Sequence, residues 1–306
     1  MNFKNINIRL TVLALVLFLF AFLKNDPIRI FEKTFASAAY LLEDFNAADV
    51  ESIEISQNGN SIHQLQKVDS KWLIRGEKEQ QDYQADSSKI HEILTNLEKL
   101  KKFYDITNNA DRFAEFGLSD NGLKITLNYS GKKSSFYIGN RGTAAGTNLV
   151  RLEKGTTVYS VNANLQGQWN QNRDYFRFKK LVNFTVENIA TVHIAKGRVQ
   201  YDLTGQAGKW NIIQGHENFN AQATATRFFQ ELLDLKGGNF YHQKKTGTRI
   251  GLITITYKSN VTEKIEFRKV SSTLIIVRSD QNPYWQIIPD SKMSKVLPDL
   301  NQFRSN

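Results

Sequence analysis

The residue types that most often carry chemistry are thinly spread along this chain. None of its five histidines stands three or four residues from another, and none has a carboxylate at the spacing of a metal site. The histidines are His63, His91, His193, His216 and His242. Cysteine is absent, which excludes thiolate nucleophiles, cysteine-ligated zinc, iron–sulfur clusters and disulfides. The sequence therefore predicts neither a metal nor a cofactor, and we expect the histidines to have ordinary surface roles.

One glycine-rich segment, residues 138–147, has the composition of a loop that could wrap an anion. Its glycines, Gly139, Gly142 and Gly146, would leave backbone N–H groups accessible to a phosphate. No Lys-Ser or Lys-Thr pair follows the last glycine, however, and strand-forming residues rather than a helix come next. We therefore expect a flexible loop between two strands, in which Arg141 and the exposed amides could bind an anion.

Two further patterns resemble catalytic sites by their letters only. Ser130 and Lys133 have the spacing of a serine–lysine pair, but they lie in a predicted hairpin turn, where Ser, Gly and Lys are common. The closely spaced carboxylates show no arrangement that separates an acid from a base. These carboxylates are Asp82 with Asp86, and Asp111 with Glu115. The sequence thus predicts a protein that is not an enzyme; a hydrolase site assembled from distant residues is the alternative.

Basic and aromatic residues alternate between residues 173 and 180, and a second basic group follows at residues 244–249. Such mixing occurs in platforms for single-stranded nucleic acid, but the chain contains no known nucleic-acid-binding module, so we expect no nucleic-acid partner. A structural junction between domains, or contact with a partner protein or anionic lipid, explains the pattern instead. The residues predicted to make partner or lipid contacts are Arg141, Arg173, Arg177, Lys179, Lys180, Lys244, Lys245 and Arg249.

The length and net charge of the chain limit the number of domains and the kind of partner to expect. The chain has 306 residues, of which 41% are hydrophobic, so it is long enough for two domains and too apolar to be disordered. Its 40 Lys and Arg residues exceed its 30 Asp and Glu residues, giving a formal net charge of +10. A surface of this sign favours anionic neighbours such as phospholipid headgroups or an acidic partner.

An uninterrupted apolar run occupies residues 10–23. As a helix it would cover about 21 Å of a hydrocarbon layer about 30 Å thick, which is short for a membrane span. The flanking Arg9 and Lys24 can reach the headgroups and lengthen the workable span. We expect an uncleaved anchor in contact with membrane lipid, with a cleaved signal peptide and a buried helix as alternatives.

The predicted topology follows from this anchor. Large domains translocate largely regardless of their charge, so we expect a bacterial inner-membrane protein whose C-terminal domains lie in the periplasm. Apolar residues recur at helical spacing from Ile28 to Phe45, which predicts an amphipathic helix that packs on the domain or lies along the bilayer. The predicted divisions are 1–27 tail and anchor, 28–46 linker helix, 47–182 first repeat and 183–306 second repeat.

Two parts of the chain, about 130 to 140 residues apart, resemble each other. The aligned stretches are 50–55 with 189–194, 71–74 with 209–212, 82–86 with 218–222, 97–101 with 232–236, and 125–129 with 253–257. Each copy contains one helix with a single apolar stripe, formed by Ile90, Ile93, Leu94, Leu97 and Leu100 in the first and by Ala225, Phe228, Phe229, Leu232 and Leu235 in the second. The second copy lacks about ten residues around Phe116-Gly117-Leu118. The pattern predicts a duplicated domain.

Segments that alternate apolar and polar residues surround each helix, and hairpin sequences separate them. The hairpin sequences are Asn58-Gly59-Asn60, Ser130-Gly131-Lys132 and Ser259-Asn260. Because no helical crossovers join the strands, the sheets should be mainly antiparallel. The predicted fold class is α+β: an N-terminal transmembrane helix, then two tandem repeats of a mainly antiparallel sheet with one packed helix.

Several motifs of the first copy occur in a set order. They are Lys71-Trp72, the amphipathic helix, Phe116-Gly117-Leu118, Tyr137-Ile138-Gly139, the glycine-rich loop and Val158-Tyr159-Ser160-Val161. In this order the chain resembles a bacterial family of membrane-anchored envelope proteins with a domain of unknown function, often encoded beside gliding-motility-type ABC transporter components. The resemblance covers roughly residues 50–300 as two copies. It implies an accessory role beside permease and ATPase subunits and supplies no catalytic residues.

Together these observations predict a non-enzymatic, single-pass periplasmic accessory subunit of a gliding-motility-type ABC transporter. Partners would be recognised through sheet edges, grooves between domains and exposed aromatic residues, with β-strand addition as one mode. A binding module for an anionic envelope polymer or glycan is the second hypothesis. A scaffold component of a secretion or pilus machine is a third.

Overall fold

The computed structural model of the protein describes residues 39–75, 82–206 and 208–304, which form two units that divide after Arg173. The division predicted after residue 182 lies too late in the chain. Leu181 and Val182 are fully buried and belong to the core of the second unit. The segment from Asp174 onward is therefore the beginning of the second unit.

The described part of the first unit contains nine strands and one long helix. Its strands are β1 Val50–Gln57, β2 Asn60–Val68, β3 Lys71–Arg75, β4 Asp82–Gln84, β5 Lys102–Thr107, β6 Leu123–Tyr129, β7 Lys132–Arg141, β8 Asn148–Leu152 and β9 Val158–Val161. Its helices are α1 Ser87–Glu98 and the short α2 Leu165–Trp169, and the short α3 Arg173–Phe176 begins at the division. The strands form one antiparallel sheet in the order β4-β3-β2-β1-β6-β7-β8-β9-β5.

Among its described residues the second unit contains eight strands and one long helix. Its strands are β10 Ile189–Lys196, β11 Val199–Gln206, β12 Lys209–Gln214, β13 Glu217–Asn220, β14 Thr248–Tyr257, β15 Thr262–Lys269, β16 Ile275–Ser279 and β17 Gln286–Ile288. Its helices are α4 Gln222–Leu233 and the short α5 Met293–Val296 and α6 Leu300–Arg304. The strands form an antiparallel sheet in the order β13-β12-β11-β10-β14-β15-β16-β17. The predicted α+β class with antiparallel sheets is confirmed.

The two sheets have the same strand order, apart from the additional edge strand β5 in the first. The agreement extends to single hydrogen bonds. The carbonyl oxygen of Trp72 accepts from the N–H of Ala85 at 2.8 Å, and that of Trp210 accepts from Ala221 at 2.9 Å. Each sheet also carries a register shift at the start of its first strand, after Val50 in one and after Ile189 in the other. The predicted alignment therefore identifies structurally equivalent residues.

The helices form where the apolar stripes predicted them. The Asp86 side chain caps α1 by accepting from the N–H of Lys89 at 3.2 Å. The stripe residues of both helices are buried, which is consistent with each helix packing on its own sheet. The hairpin predictions are confirmed as well, because Asn58, Gly59, Ser130, Gly131 and Asn260 have positive φ values.

The predicted membrane anchor at residues 10–23 lies outside the described residues, as does most of the predicted linker helix. The described part of that linker, residues 39–46, contains no helix. Instead, Leu41 donates its N–H to the carbonyl oxygen of Leu100 at 2.7 Å, and the apolar side chains of Leu41 and Phe45 are buried. Among the described residues no helix is long and apolar enough to cross a membrane.

Candidate interaction surface

Exposed apolar side chains are concentrated at one sheet edge. In the described part of the chain seven large apolar side chains are exposed, and four of them lie on or beside the edge strand β5. These four, called the β5 patch, are Tyr40, Phe103, Tyr104 and Ile106, with 50%, 52%, 36% and 41% of their surface exposed. The other three are single valines at or beside strand ends, which is ordinary for a protein surface. The β5 patch is therefore the main candidate contact surface.

Local geometry explains why these side chains face solvent. Strand β5 pairs with β9 on one side, and the pairing register shifts twice within its six residues. One shift lies between Lys102 and Tyr104 and breaks the usual alternation, so the rings of Phe103 and Tyr104 meet edge to face at 4.5 Å between centroids. On the other side of the strand, Tyr40 pairs with Lys101. No sequence motif marks this patch. The available signal was that Phe103, Tyr104 and Ile106 follow the first helix without the period-two alternation of a half-buried strand.

The corresponding edge of the second unit is closed. There Phe240 pairs with Gln286 of β17, and Phe240 and Tyr241 are 5% and 9% exposed. The guanidinium of Arg177 lies over the Phe240 ring, 3.5 Å from its centroid. The two units thus present different edges despite their common strand order.

Arg177 was predicted to contact a partner or lipid, but the structure does not place it at the surface. It is 2% exposed, because its guanidinium stacks on Phe240 and Tyr284 and donates to Asp174 at 3.2 Å. Asp174 also contacts Nε2 of His242 at 2.9 Å. Burial alone would raise the pKa of Asp174, but the hydrogen bonds and charges of His242 and Arg177 outweigh it and lower that pKa. The contacts of Asp174 with Arg177 and with His242 stabilise this edge of the second unit.

The other predicted contact residues do not form one cluster. Arg141 and Arg173 belong to the first unit, and the remaining ones belong to the second. Arg173 is half-buried over the ring of Tyr83, with 5.0 Å to its centroid, and Lys180 donates to Asn183 at 3.3 Å. The exposed residues of the set are Arg141, Lys244, Lys245 and Arg249, and Lys179 is half-buried. Their predicted contacts with partner or lipid stay predictions.

Residues 138–141 of the glycine-rich segment belong to strand β7, and residues 142–147 form the predicted connection to β8. The first glycine of the segment has a packing role. A Cβ at Gly139 would lie 2.3 Å from the carbonyl oxygen of Phe116, so only glycine lets the 116–118 turn approach this strand. The same carbonyl accepts from the N–H of Asn140 at 2.8 Å, and the Asn140 side chain donates to the carbonyl of Glu115 at 3.2 Å. The motifs of residues 116–118 and 137–139, which are separate in the sequence, are therefore in direct contact in the structure.

The inserted segment that contains this turn covers one face of the first sheet. Its residues Phe113, Phe116 and Leu118 pack in a small cluster with Tyr137 and two further strand residues. Arg151 is buried beneath it, stacked on Phe113 at 4.4 Å and on Tyr137 at 4.3 Å, and it donates twice to the carbonyl of Leu118. The inserted segment thus packs over Arg151 and holds its side chain against the sheet.

The second unit has a shorter connection here, and the equivalent sheet face carries a groove of about 530 Å³. By strand register, Arg278 is the counterpart of Arg151. Arg278 and Arg268 both donate to Glu266 at 2.8 Å, and both lie over the Trp285 ring. Desolvation would raise the pKa of Glu266, but these two guanidinium groups lower it overall. Basic residues outnumber acidic ones in the lining, which includes Arg249, Lys264, Arg268, Arg278, Glu266 and Asp280.

Two further titratable groups, His193 and Glu263, make contacts within the second unit. No group of three His, Asp or Glu side chains suited to a metal occurs among the described residues. His193 contacts Asp202 of the neighbouring strand at 2.7 Å, a cross-strand pair that sequence spacing did not suggest. Glu263 is 4% exposed and accepts from Tyr257 at 2.6 Å and from Gln281 at 2.8 Å. Burial raises the pKa of this carboxyl group, which ties β15 to a neighbouring loop.

Comparison with known proteins shows the family of the chain but not its function. Searches of curated proteins and of solved structures found no match. A family model described as a domain of unknown function, DUF4340, matches residues 77–252, more than half of the chain. The match begins before α1 and ends within β14, so it spans parts of both units. The chain therefore belongs to the family defined by the domain of unknown function DUF4340.

Proposed function

We propose that this protein is a non-enzymatic, membrane-anchored accessory subunit whose periplasmic units dock onto other subunits of a gliding-motility-type ABC transporter complex. The observation that carries the docking role is the β5 patch. Four large apolar side chains at one sheet edge are unusual on a protein that has no partner there. The anchor at residues 10–23 and the transporter partner come from the sequence and its family resemblance.

The shape of β5 favours docking through side chains rather than through addition of a partner strand. Two register shifts within six residues interrupt the row of backbone groups that an added strand would need. The other edge strands, β4, β13 and β17, are three or four residues long, which also limits strand addition. Aromatic side chains such as Phe103 and Tyr104 are typical anchors at protein interfaces.

We further propose that the two units arose by duplication and then took different roles. Their shared strand order and hydrogen bonds support a common origin. The first unit exposes its edge, whereas the second seals the same edge with Phe240 and Arg177. In this proposal the first unit holds the partner, which leaves the second free for another task.

The triple variant F103S/Y104S/I106S tests the docking role. The three side chains are exposed, so the fold should tolerate their loss, while an interface centred on them would lose its apolar anchors. We expect recovery of transporter permease and ATPase subunits with the tagged full chain, in mild detergent, to fall at least tenfold. Quantitative mass spectrometry of the purified complexes measures this recovery.

The matched control is V68S/V199S/V261S, which removes the three other exposed apolar side chains. This control should recover the same subunits as the wild type. Equal loss in both variants would contradict a docking role for the β5 patch. A wild-type protein that purifies alone would overturn the transporter proposal itself.

The groove of the second unit favours a second candidate function, binding of an anionic envelope polymer. Four basic side chains line it, and two of them, Arg249 and Lys264, are not engaged with Glu266. With dextran sulfate as the probe, R249S/K264S should bind more weakly than the wild type and show a shallower dependence on salt. Affinity that does not change with salt would contradict this candidate.

A further inference from the structure

A cavity of about 390 Å³, with both apolar and polar residues in its wall, lies between helix α4 and the sheet of the second unit. Its floor is formed by Trp210 and Phe229, whose ring centroids are 4.6 Å apart and which are 6% and 1% exposed. Ile189 and Leu233 extend the apolar wall. The volume falls at the small end of the range of about 300–1,000 Å³ that is usual for small-molecule sites.

One wall of the cavity contains a glycine, Gly205. By strand register, Gly205 opposite Trp210 is the counterpart of Lys67 opposite Trp72. In the first unit the Lys67 side chain spans this place, and its Nζ donates to the carbonyl of Ala48 at 3.3 Å. At Gly205 there is no side chain, and a Cβ would lie only 2.7 Å from the Trp210 ring. The Trp210 ring therefore lies directly against the backbone of Gly205, where the first unit carries a lysine side chain.

A second difference between the units makes the wall of the cavity more apolar in the second unit. The helix residue after the equivalent pair Leu97 and Leu232 is Glu98 in the first unit and Leu233 in the second. A charged side chain has therefore been replaced by an aliphatic one at the cavity wall. Both differences, at Gly205 and at Leu233, place an uncharged residue at the wall of the cavity where the first unit has a charged one.

The polar groups of the wall are already engaged within the protein. Gln222 accepts from the N–H of Trp210 at 2.8 Å, and Thr226 donates to the carbonyl of Gln222 at 2.9 Å. Gln230 donates to Asp234 at 2.9 Å. What the cavity offers a ligand is thus its apolar surface, while the charged Glu187 and Lys258 lie at its rim.

We propose that this cavity binds a single aliphatic chain of an amphiphile, such as a fatty acid, with the polar head at the rim beside Glu187 and Lys258. The small volume accommodates one chain rather than the two of a phospholipid. Burial of the chain against the half-buried Val186 and Leu233 and the accessible edge of Trp210 supplies the binding free energy. The site belongs to the second unit alone and does not depend on the β5 patch.

Photolabelling with decanoic acid that carries a diazirine tests the site. The purified full chain in lipid nanodiscs is irradiated with the probe, and mass spectrometry locates the labelled peptides. We expect label in residues 186–189, 208–210 and 222–233, and we expect excess unlabelled decanoic acid to remove it. Label that is absent from these peptides, or that resists competition, would overturn the proposal.

Two variants carry the first unit's residues into the cavity, G205K and L233E. Each should reduce labelling of these peptides at least tenfold. Leu233 is only half-buried, so L233E tests the site even where a side chain at residue 205 disturbs Trp210. The matched control, V199K, adds the same lysine to the same strand at a position that is 44% exposed and outside the cavity. Equal labelling of wild type, G205K and L233E would refute an occupied cavity.

Discussion

Replacing Asp174 with Asn is expected to destabilise the second unit by about 3 kcal/mol at neutral pH, because it removes the carboxylate that pairs with a buried guanidinium. Arg177 is 2% exposed and stacks on Phe240, so water cannot replace the lost partner. The amide introduced by D174N would preserve the shape of the side chain but not its charge. The free energy of opening of the second unit, measured by hydrogen exchange on the full chain, checks this prediction.

The stabilisation of the second unit by the Asp174 carboxylate is expected to increase with pH. The pKa of Asp174 in the folded protein is lower than its ordinary value, so its carboxylate stabilises the fold above the ordinary Asp pKa of about 3.9. That stabilisation is lost as the pH falls below this value and through the folded pKa. The difference between wild type and D174N should therefore be full near pH 7 and shrink in acid.

The first unit supplies a matched control. Arg151 is also buried, but its carboxylate partner Asp120 has 91% of its side chain exposed, and the carbonyl of Leu118 accepts two of its hydrogen bonds. D120N should therefore cost less than about 1 kcal/mol. Equal effects of D174N and D120N would contradict the claim that burial of the pair decides its contribution.

Replacing Gly139 with Ala is expected to destabilise the first unit by about 2–3 kcal/mol through overpacking. The added methyl group would lie 2.3 Å from the carbonyl oxygen of Phe116 and 2.7 Å from Cγ of Leu118. Because the nearest atom belongs to the backbone, the whole turn must move, and its contact with Asn140 should be lost. Hydrogen exchange should show faster opening of residues 113–118 together with the sheet face that they cover.

Gly155 is the control for this substitution. A Cβ there would meet only Leu152, at 3.5 Å, which is an ordinary van der Waals contact, and its φ is not positive. G155A should therefore leave the stability unchanged or raise it by up to about 1 kcal/mol, through the lower entropy of the unfolded chain. An equally small effect of G139A would show that the 116–118 turn does not require close backbone approach.

Local patterns account for most of what could be predicted about the fold. Period-two alternation, hairpin residues such as Asn58-Gly59 and the apolar stripes of α1 and α4 each depend on residues near one another in the chain. The internal alignment predicted a duplicated domain, and the two sheets share a strand order because equivalent local patterns fold in equivalent ways. The linker helix predicted over residues 28–46 was wrong in its described part, where Leu41 pairs with Leu100 instead.

The candidate surfaces needed the tertiary structure. Arg177 looked like a surface cation in the sequence, and only the packing of Phe240 and Tyr284, more than sixty residues further along the chain, shows that it is buried. The sequence by itself determined the antiparallel α+β class, the hairpins and the two long helices, since these follow from local propensity and periodicity. Which edge stays open, which arginine is covered and where a cavity lies beside helix α4 were decided only by the tertiary structure, because burial depends on contacts between residues that the sequence keeps far apart.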